Sequence, residues 1–282
     1  RIDREGTLFV VSSTLQQGLT GEHMQVFLSY REDEEGKEYA SALREELAIL
    51  GINAIMASRS IRPGAVWAQT ILEHLEASSA LLCIASRGYT DSAWCQQEIG
   101  WAIGRSIPAL WIRYDSTEQS VGFLKDKQEL RATNPVNEAE IARAVGAWLV
   151  REQKTQEEAR DTFIRAFAGS STYQQTRDIA HVLAALDSLT DDEWQQINDA
   201  AAKNRQVREA RYYSEWNNAM SGIPVTDWLR HQLSTSADNT WPWILPISVL
   251  QRRHGGRAPR RGPHVRLRQP ETTSYDSRGS TR

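Results

Sequence analysis

Ala80-Leu81-Leu82-Cys83-Ile84-Ala85 (ALLCIA) is an unbroken apolar run of strand length, and its reading decides the fold. A strand with one wet face alternates apolar and polar residues, whereas a short continuous run marks a strand buried on both faces. Sheets are covered on both faces when helices cross between parallel strands. The flanking sequence supplies such crossovers. Downstream, Ser92–Gly104 reads as a helix and Ile107–Ile112 (IPALWI) as the next strand. Upstream, Ala65–Leu75 places Trp67, Ile71, Leu72 and Leu75 on one helical face. Before it come Gln25–Tyr30 (QVFLSY) and Ile52–Met56 as strands, separated by a helix over Glu35–Leu50. That helix carries Tyr39, Leu43, Leu47 and Leu50 at helical spacing, with Gly51 as its cap. Asn137–Val150 adds an amphipathic helix through Ile141, Val145 and Trp148. Strands alternating with helices in this way predict an α/β fold with a doubly wound parallel sheet.

After Val150 the strand pattern stops. Arg151–Arg160 (REQKTQEEAR) reads as a charged helical connector, and Ala168–Ser171 (AGSS) as a break. Two helices, Thr172–Asp187 and Thr190–Arg211, follow; Thr190 with Glu193 three positions on predicts a capping box. Thr226–Leu233 fits a further short helix. The expected organisation is a poorly ordered leader over 1–23, an α/β domain over 24–150 and a linker over 151–171. A smaller all-α module over 172–250 and a disordered basic tail over 251–282 complete it.

The 282 residues are 40% hydrophobic and 24% charged, enough apolar material for a buried core. Segments 251–282 and 1–250 differ sharply in charge. The tail holds nine Arg against Glu271 and Asp276, leaving 24 basic and 34 acidic groups in the body. Such an acidic body disfavours a bulk nucleic-acid binder. Cys83 and Cys95 are too few for a disulfide framework and fit a cytoplasmic, reducing setting. No apolar stretch reaches the roughly 20 residues of a membrane-spanning helix.

Ligands of a doubly wound sheet sit at the carboxyl ends of the strands. That places a cleft among Ser29–Asp33, Ser58–Gly64 and Ser86–Ser92, beside the helix carrying Trp94 and Glu98. These two are four apart and share a helix face. The sequence lacks GxGxxG and GxxxxGK[ST] loops, and the body lacks GxSxG, HExxH and CxxC. His23 and His74 are its only histidines before residue 181, and no metal-ligating set is found. What remains is a carboxylate beside an aromatic, with Ser, Tyr and Arg on neighbouring loops. Those groups suit a ribosyl ligand and stabilisation of positive charge on a sugar, as in glycoside-bond cleavage.

Phe27-Leu28-Ser29-Tyr30-Arg31, Ser60-Ile61-Arg62-Pro63-Gly64 with Trp67, Ser92-Ala93-Trp94-Cys95-Gln96-Gln97-Glu98 and Ile107-Pro108 resemble, in order and spacing, the boxes of a TIR (Toll/interleukin-1 receptor) domain. The resemblance covers about residues 24–150. It implies a flavodoxin-like sheet and one of two functions. One is a non-catalytic signalling scaffold that mediates protein–protein interaction. The other is an NAD+ glycohydrolase of the bacterial NAD-cleaving type, giving nicotinamide and ADP-ribose or a cyclic variant, in defence or signal transduction. For the enzyme it implies Glu98 as the catalytic carboxylate, and Ser29, Tyr30, Arg31, Arg62 and Trp94 around NAD+. NAD+ is then substrate, with no cofactor. Ser60, Ile61, Arg62, Pro63 and Gly64 would form a self-association loop, and the helical module would meet an activating ligand or partner protein. The Phe-Trp box expected near the end of such a domain has no clear counterpart, which leaves the last strand open.

Plainer readings stand beside these. Glu98 can be a solvated helix carboxylate, Trp94 core filler, Cys95 a small buried hydrophobe, and Tyr30 with Arg31 a surface pair. Pro63-Gly64 is first a turn.

Overall fold

The computed structural model describes residues 24–56, 66–125, 127, 129–212 and 222–235. The expected leader and tail, and the loop with Ser60, Ile61, Arg62, Pro63 and Gly64, lie outside the described residues.

The apolar runs pair as parallel strands. They are β1 (Gln25–Tyr30), β2 (Asn53–Met56), β3 (Ala80–Ala85), β4 (Ala109–Arg113) and β5 (Glu129–Arg131). Their order is β2-β1-β3-β4-β5, every pair parallel, with Ser29 opposite Cys83 and Cys83 opposite Trp111. β5 is the strand the sequence leaves open. Its three residues, Glu-Leu-Arg, bury only Leu130, too short a signal for any periodicity to detect. The chain builds β1 and β2, then crosses over β1 to lay down β3. The switch point therefore falls between β1 and β3.

Four helices cover the two faces: α1 (Glu34–Ile49), α2 (Val66–Glu76), α3 (Ala93–Gly104) and α4 (Glu138–Leu149). α1 packs on α4, and α2 on α3. Side-chain caps fix their starts: Asp33 accepts from the Gly36 amide for α1, Ser92 from Cys95 for α3 and Asn137 from Glu140 for α4. Gly51, at φ 85°, takes the left-handed conformation that ends α1.

The remaining elements are α5 (Gln156–Ala168), α6 (Tyr173–Leu183), α7 (Asp191–Lys203), α8 (Arg205–Glu209), β6 (Arg211–Tyr212), β7 (Ile223–Pro224) and α9 (Val225–Thr235). The Thr190–Glu193 capping box is present at α7. Two expectations are corrected here. The stretch 151–171 is not a connector: α5 buries Ala159, Phe163, Ile164 and Phe167, whose spacing gives the helix an apolar face beneath its charges. The following part is not purely helical either, since β6 and β7 pair as a short antiparallel ribbon.

α5 and α6 do not form a separate core. The cluster on the α1/α4 face runs without a break from Val26, Leu28 and Ile84 through Val145 and Leu149. It continues into Phe163, Phe167, Val182 and Leu229. Gly146 on α4 permits this contact, because a Cβ there would lie 2.8 Å from Val182 and 3.2 Å from Phe163. An Arg143–Asp178 ion pair at 2.8 Å ties α4 to α6. The helices after Val150 act as an extra layer on one face of the sheet.

Candidate active site at the carboxyl ends of the strands

Strand alternation decides which side chains meet. On β1, Val26, Leu28 and Tyr30 enter the core on the α1/α4 face, while Phe27 belongs to the α2/α3 face. Ser29, next in alternation after Phe27, faces the α2/α3 side as well. There its Oγ donates to Glu98 Oε2 at 2.5 Å. Glu98 is only 6% exposed, although α3 as a whole is a surface helix. A carboxylate so far from water needs hydrogen-bond donors, and Ser29 supplies one from the end of β1.

The support continues behind Ser29. Tyr89 Oη lies 2.7 Å from Ser29 Oγ. A hydroxyl has one proton, so with Ser29 donating to Glu98, Tyr89 donates to Ser29. Cys83, opposite Ser29 on the neighbouring strand, lies beside Tyr89. Burial pushes the Cys83 thiol up to about 12 and raises the Tyr89 phenol well above its usual value. Both groups stay protonated at neutral pH. Phenol and hydroxyl thus form a chain that terminates on one carboxylate. Tyr89 is held by an edge-to-face contact with Trp111 at 5.2 Å.

The loop that carries Tyr89 is clamped from two sides. Glu118, buried in the β4–β5 connection, accepts from the Gly88 amide at 2.6 Å, the Thr90 amide at 3.2 Å and Thr90 Oγ1 at 2.9 Å. Arg31 Nη1 donates to the Arg87 carbonyl at 3.0 Å, and its Nε pairs with Asp33 at 3.1 Å. Gly88 has φ 75°, and a Cβ there would lie 2.0 Å from Arg31 Nη1. Only glycine allows Arg31 to lie across this turn. Just past β3, the buried Ser86 Oγ has no hydrogen-bond partner among the described residues.

The sequence-derived residues separate as follows. Ser29 and Glu98 are brought together. Trp94 lies one turn before Glu98 on α3 and is 40% exposed, at the edge of the site and not in the core. Arg31 is within the same loop cluster but braces it. Tyr30 is buried on the opposite face of the sheet, against the expectation that it lines the cleft with Ser29, because adjacent strand residues point to opposite sides. Arg62 lies outside the described residues. Tyr89 and Glu118 were not singled out from the sequence. Tyr89 falls in the Ser86–Ser92 loop, but its partner is 60 positions away. Glu118 binds a turn 28 to 30 positions earlier, with no local signal at all.

Among the described residues, no group of three His, Cys, Asp or Glu side chains is placed to hold a metal, and Cys83 and Cys95 are free thiols. No helix there is long and apolar enough to cross a membrane. A separate cleft of about 430 Å³, with Pro108, Phe123 and Trp148 in its wall, opens at the amino end of β4. It lies at the wrong end of the strands for the chemistry of Glu98.

A five-stranded parallel sheet in the order 2-1-3-4-5, with a buried carboxylate at its switch point, defines a flavodoxin-like α/β protein. Residues 26–145 match the family model of the TIR domain, so the chain carries a TIR domain over that stretch. Comparison with curated protein sequences finds no match.

Proposed function

We propose that this protein is an NAD+ glycohydrolase that cleaves the nicotinamide–ribose bond. The observation that carries the reading is Glu98: a carboxylate almost excluded from water, held by Ser29 at 2.5 Å beside the strand ends. When the bond breaks, its electron pair moves to the nicotinamide nitrogen and neutralises that ring. The anomeric carbon is left electron-poor, as an oxocarbenium-like centre. A fixed carboxylate in a low-dielectric site stabilises that positive charge and accepts hydrogen bonds from the ribose hydroxyls. Glu98 need not bond to carbon. Water then attacks to give ADP-ribose, or a group of the same molecule closes a cyclic product.

Trp94 offers an indole face at the edge of the site for a ring of the substrate. NAD+ enters as substrate, so the reaction calls for no cofactor. Self-association through residues 60–64 would bring a second copy's loop over the cleft, in a cytoplasmic role in defence or signal transduction.

The Ser29–Glu98 bond equally suits a carboxylate that only fixes α3 to β1. An interaction module without chemistry is therefore the second reading. The test is to concentrate or crowd the full chain with NAD+ and follow nicotinamide. Release by the parent, lost in Glu98→Ala, is the expected result. Equal release by both removes Glu98 from the chemistry. Assembly of the parent with no release at any concentration favours the interaction module.

A further inference from the structure

A cleft of about 390 Å³ lies away from Glu98, between α4, α6 and β6. Three arginines line it, one from each element: Arg143, Arg177 and Arg211. Among the described residues the single carboxylate there, Asp178, is engaged by Arg143 at 2.8 Å and by Gln174 Nε2 at 3.0 Å. Arg177 Nη2 donates to Gln174 Oε1 at 2.7 Å. Arg211 Nη1 donates to the carbonyls of Arg208 at 2.8 Å and Ala210 at 3.0 Å. These bonds fix both guanidiniums while using few of their five donors each. Among the described residues, neither Arg177 nor Arg211 pairs with a carboxylate.

His181 adds no compensating charge. Burial, with Arg143 nearby, pushes it down to about 4, so it is neutral at neutral pH. Among the described residues the cleft thus faces two uncompensated positive charges across a small volume, an arrangement that favours entry of an anion. Its wall is rigid. Tyr212 donates its hydroxyl to the Arg177 carbonyl at 2.7 Å. The Tyr212 ring packs 4.2 Å from Trp228 and 5.2 Å from His181.

We propose that this cleft is a binding site for a small phosphorylated anion. Two pre-positioned guanidinium forks match the several oxygens of a phosphate, which a single carboxylate would only half satisfy. The charge of a phosphate dianion equals the excess in the cleft. A nucleic-acid strand is a poorer fit to so small a pocket. Because Arg143 belongs to the TIR-matched segment and Arg177 to the helices beyond it, an occupied site would bind both.

Calorimetric titration of the full chain with inorganic phosphate, pyrophosphate and ribose 5-phosphate, with ribose as control, tests this. At least one phosphorylated probe binds saturably and ribose does not. Equal binding of phosphate and ribose 5-phosphate means that only the anion is read, and tighter ribose 5-phosphate means that the sugar contributes. Affinity falls as salt is raised. Arg177→Ala and Arg211→Ala each weaken binding by roughly tenfold or more, whereas Glu98→Gln binds as the parent does. If the alanine variants do not fold, Arg177→Lys keeps the charge but loses the fork, and binds several-fold more weakly. Absence of binding by all three probes overturns the proposal. So does affinity unchanged in a folded Arg177→Ala/Arg211→Ala protein, or binding lost in Glu98→Gln.

Discussion

The two faces of the central sheet differ in what they bury. The α1/α4 face is apolar and continues through α5, α6 and α9, so one hydrophobic core spans the sheet and the later helices. The α2/α3 face is much smaller. It inserts Cys83, Tyr89, Ser29 and Glu98 into its buried layer, and leaves Nε1 of Trp101 and Trp111 without partners among the described residues. Burial of apolar area stabilises at roughly 25 cal/mol per Å², while buried polar groups cost free energy unless satisfied. One face therefore supplies the stability that lets the other hold a carboxylate out of water.

Variants can break this contrast. The largest effect on stability is expected on the large face. Phe163→Ala removes a side chain with no exposed area and should cost about 3–5 kcal/mol. Chemical unfolding followed by tryptophan fluorescence and by far-UV circular dichroism should shift together. If the two signals separate, the helices after Val150 have a core of their own.

Next comes pH. His181 is pushed down to about 4 in the folded protein from its ordinary 6.5. As pH falls below 6.5 the unfolded chain takes up this proton first. The stability it contributes is therefore complete above about 6.5 and is lost as pH falls toward 4, on the order of 3 kcal/mol. Urea unfolding at pH 7 and pH 5 should show this slope, and His181→Phe should flatten it. A slope of the opposite sign contradicts a buried neutral imidazole.

Gly146→Ala is smaller still. The added methyl meets Val182 and Phe163, an overpacking of about 1–3 kcal/mol offset by about 1 kcal/mol of helix propensity. A fall in melting temperature is expected; a rise would mean that α4 and α6 are free to part.

The smallest stability change belongs to the small face. Tyr89→Phe removes the donor behind Ser29 and should cost about 1 kcal/mol. Its effect should instead show as slower nicotinamide release. Loss of stability without loss of rate would make the Tyr89–Ser29 pair a packing device only.

β1 to β4 are legible because each is a short apolar run between turn residues, and the bounds of β3 agree to the residue, whereas β5 has only Leu130 to show. The opening REQKTQEEAR reads as helix but only as a charged connector, because it shows a single apolar residue, Ala159. The apolar positions Phe163, Ile164 and Phe167 appear only when the segment is read past Arg160 as one helix. At the site, Trp94 and Glu98 were paired by helical spacing, which is local. Tyr30 was misplaced for want of applying the strand's own alternation, by which Ser29 and Tyr30 cannot share a face. Tyr89 and Glu118 meet their partners through the tertiary fold alone, and no spacing in the sequence encodes those contacts.

Glu98→Gln offers the most direct measurement of the central claim. Glutamine keeps the shape and an acceptor for Ser29 but removes the negative charge. Nicotinamide release from NAD+ by the concentrated full chain should fall about 10²–10³-fold, with the melting temperature little changed. Release at the parental rate, in a variant that is equally folded, would contradict a catalytic carboxylate on this face of the sheet.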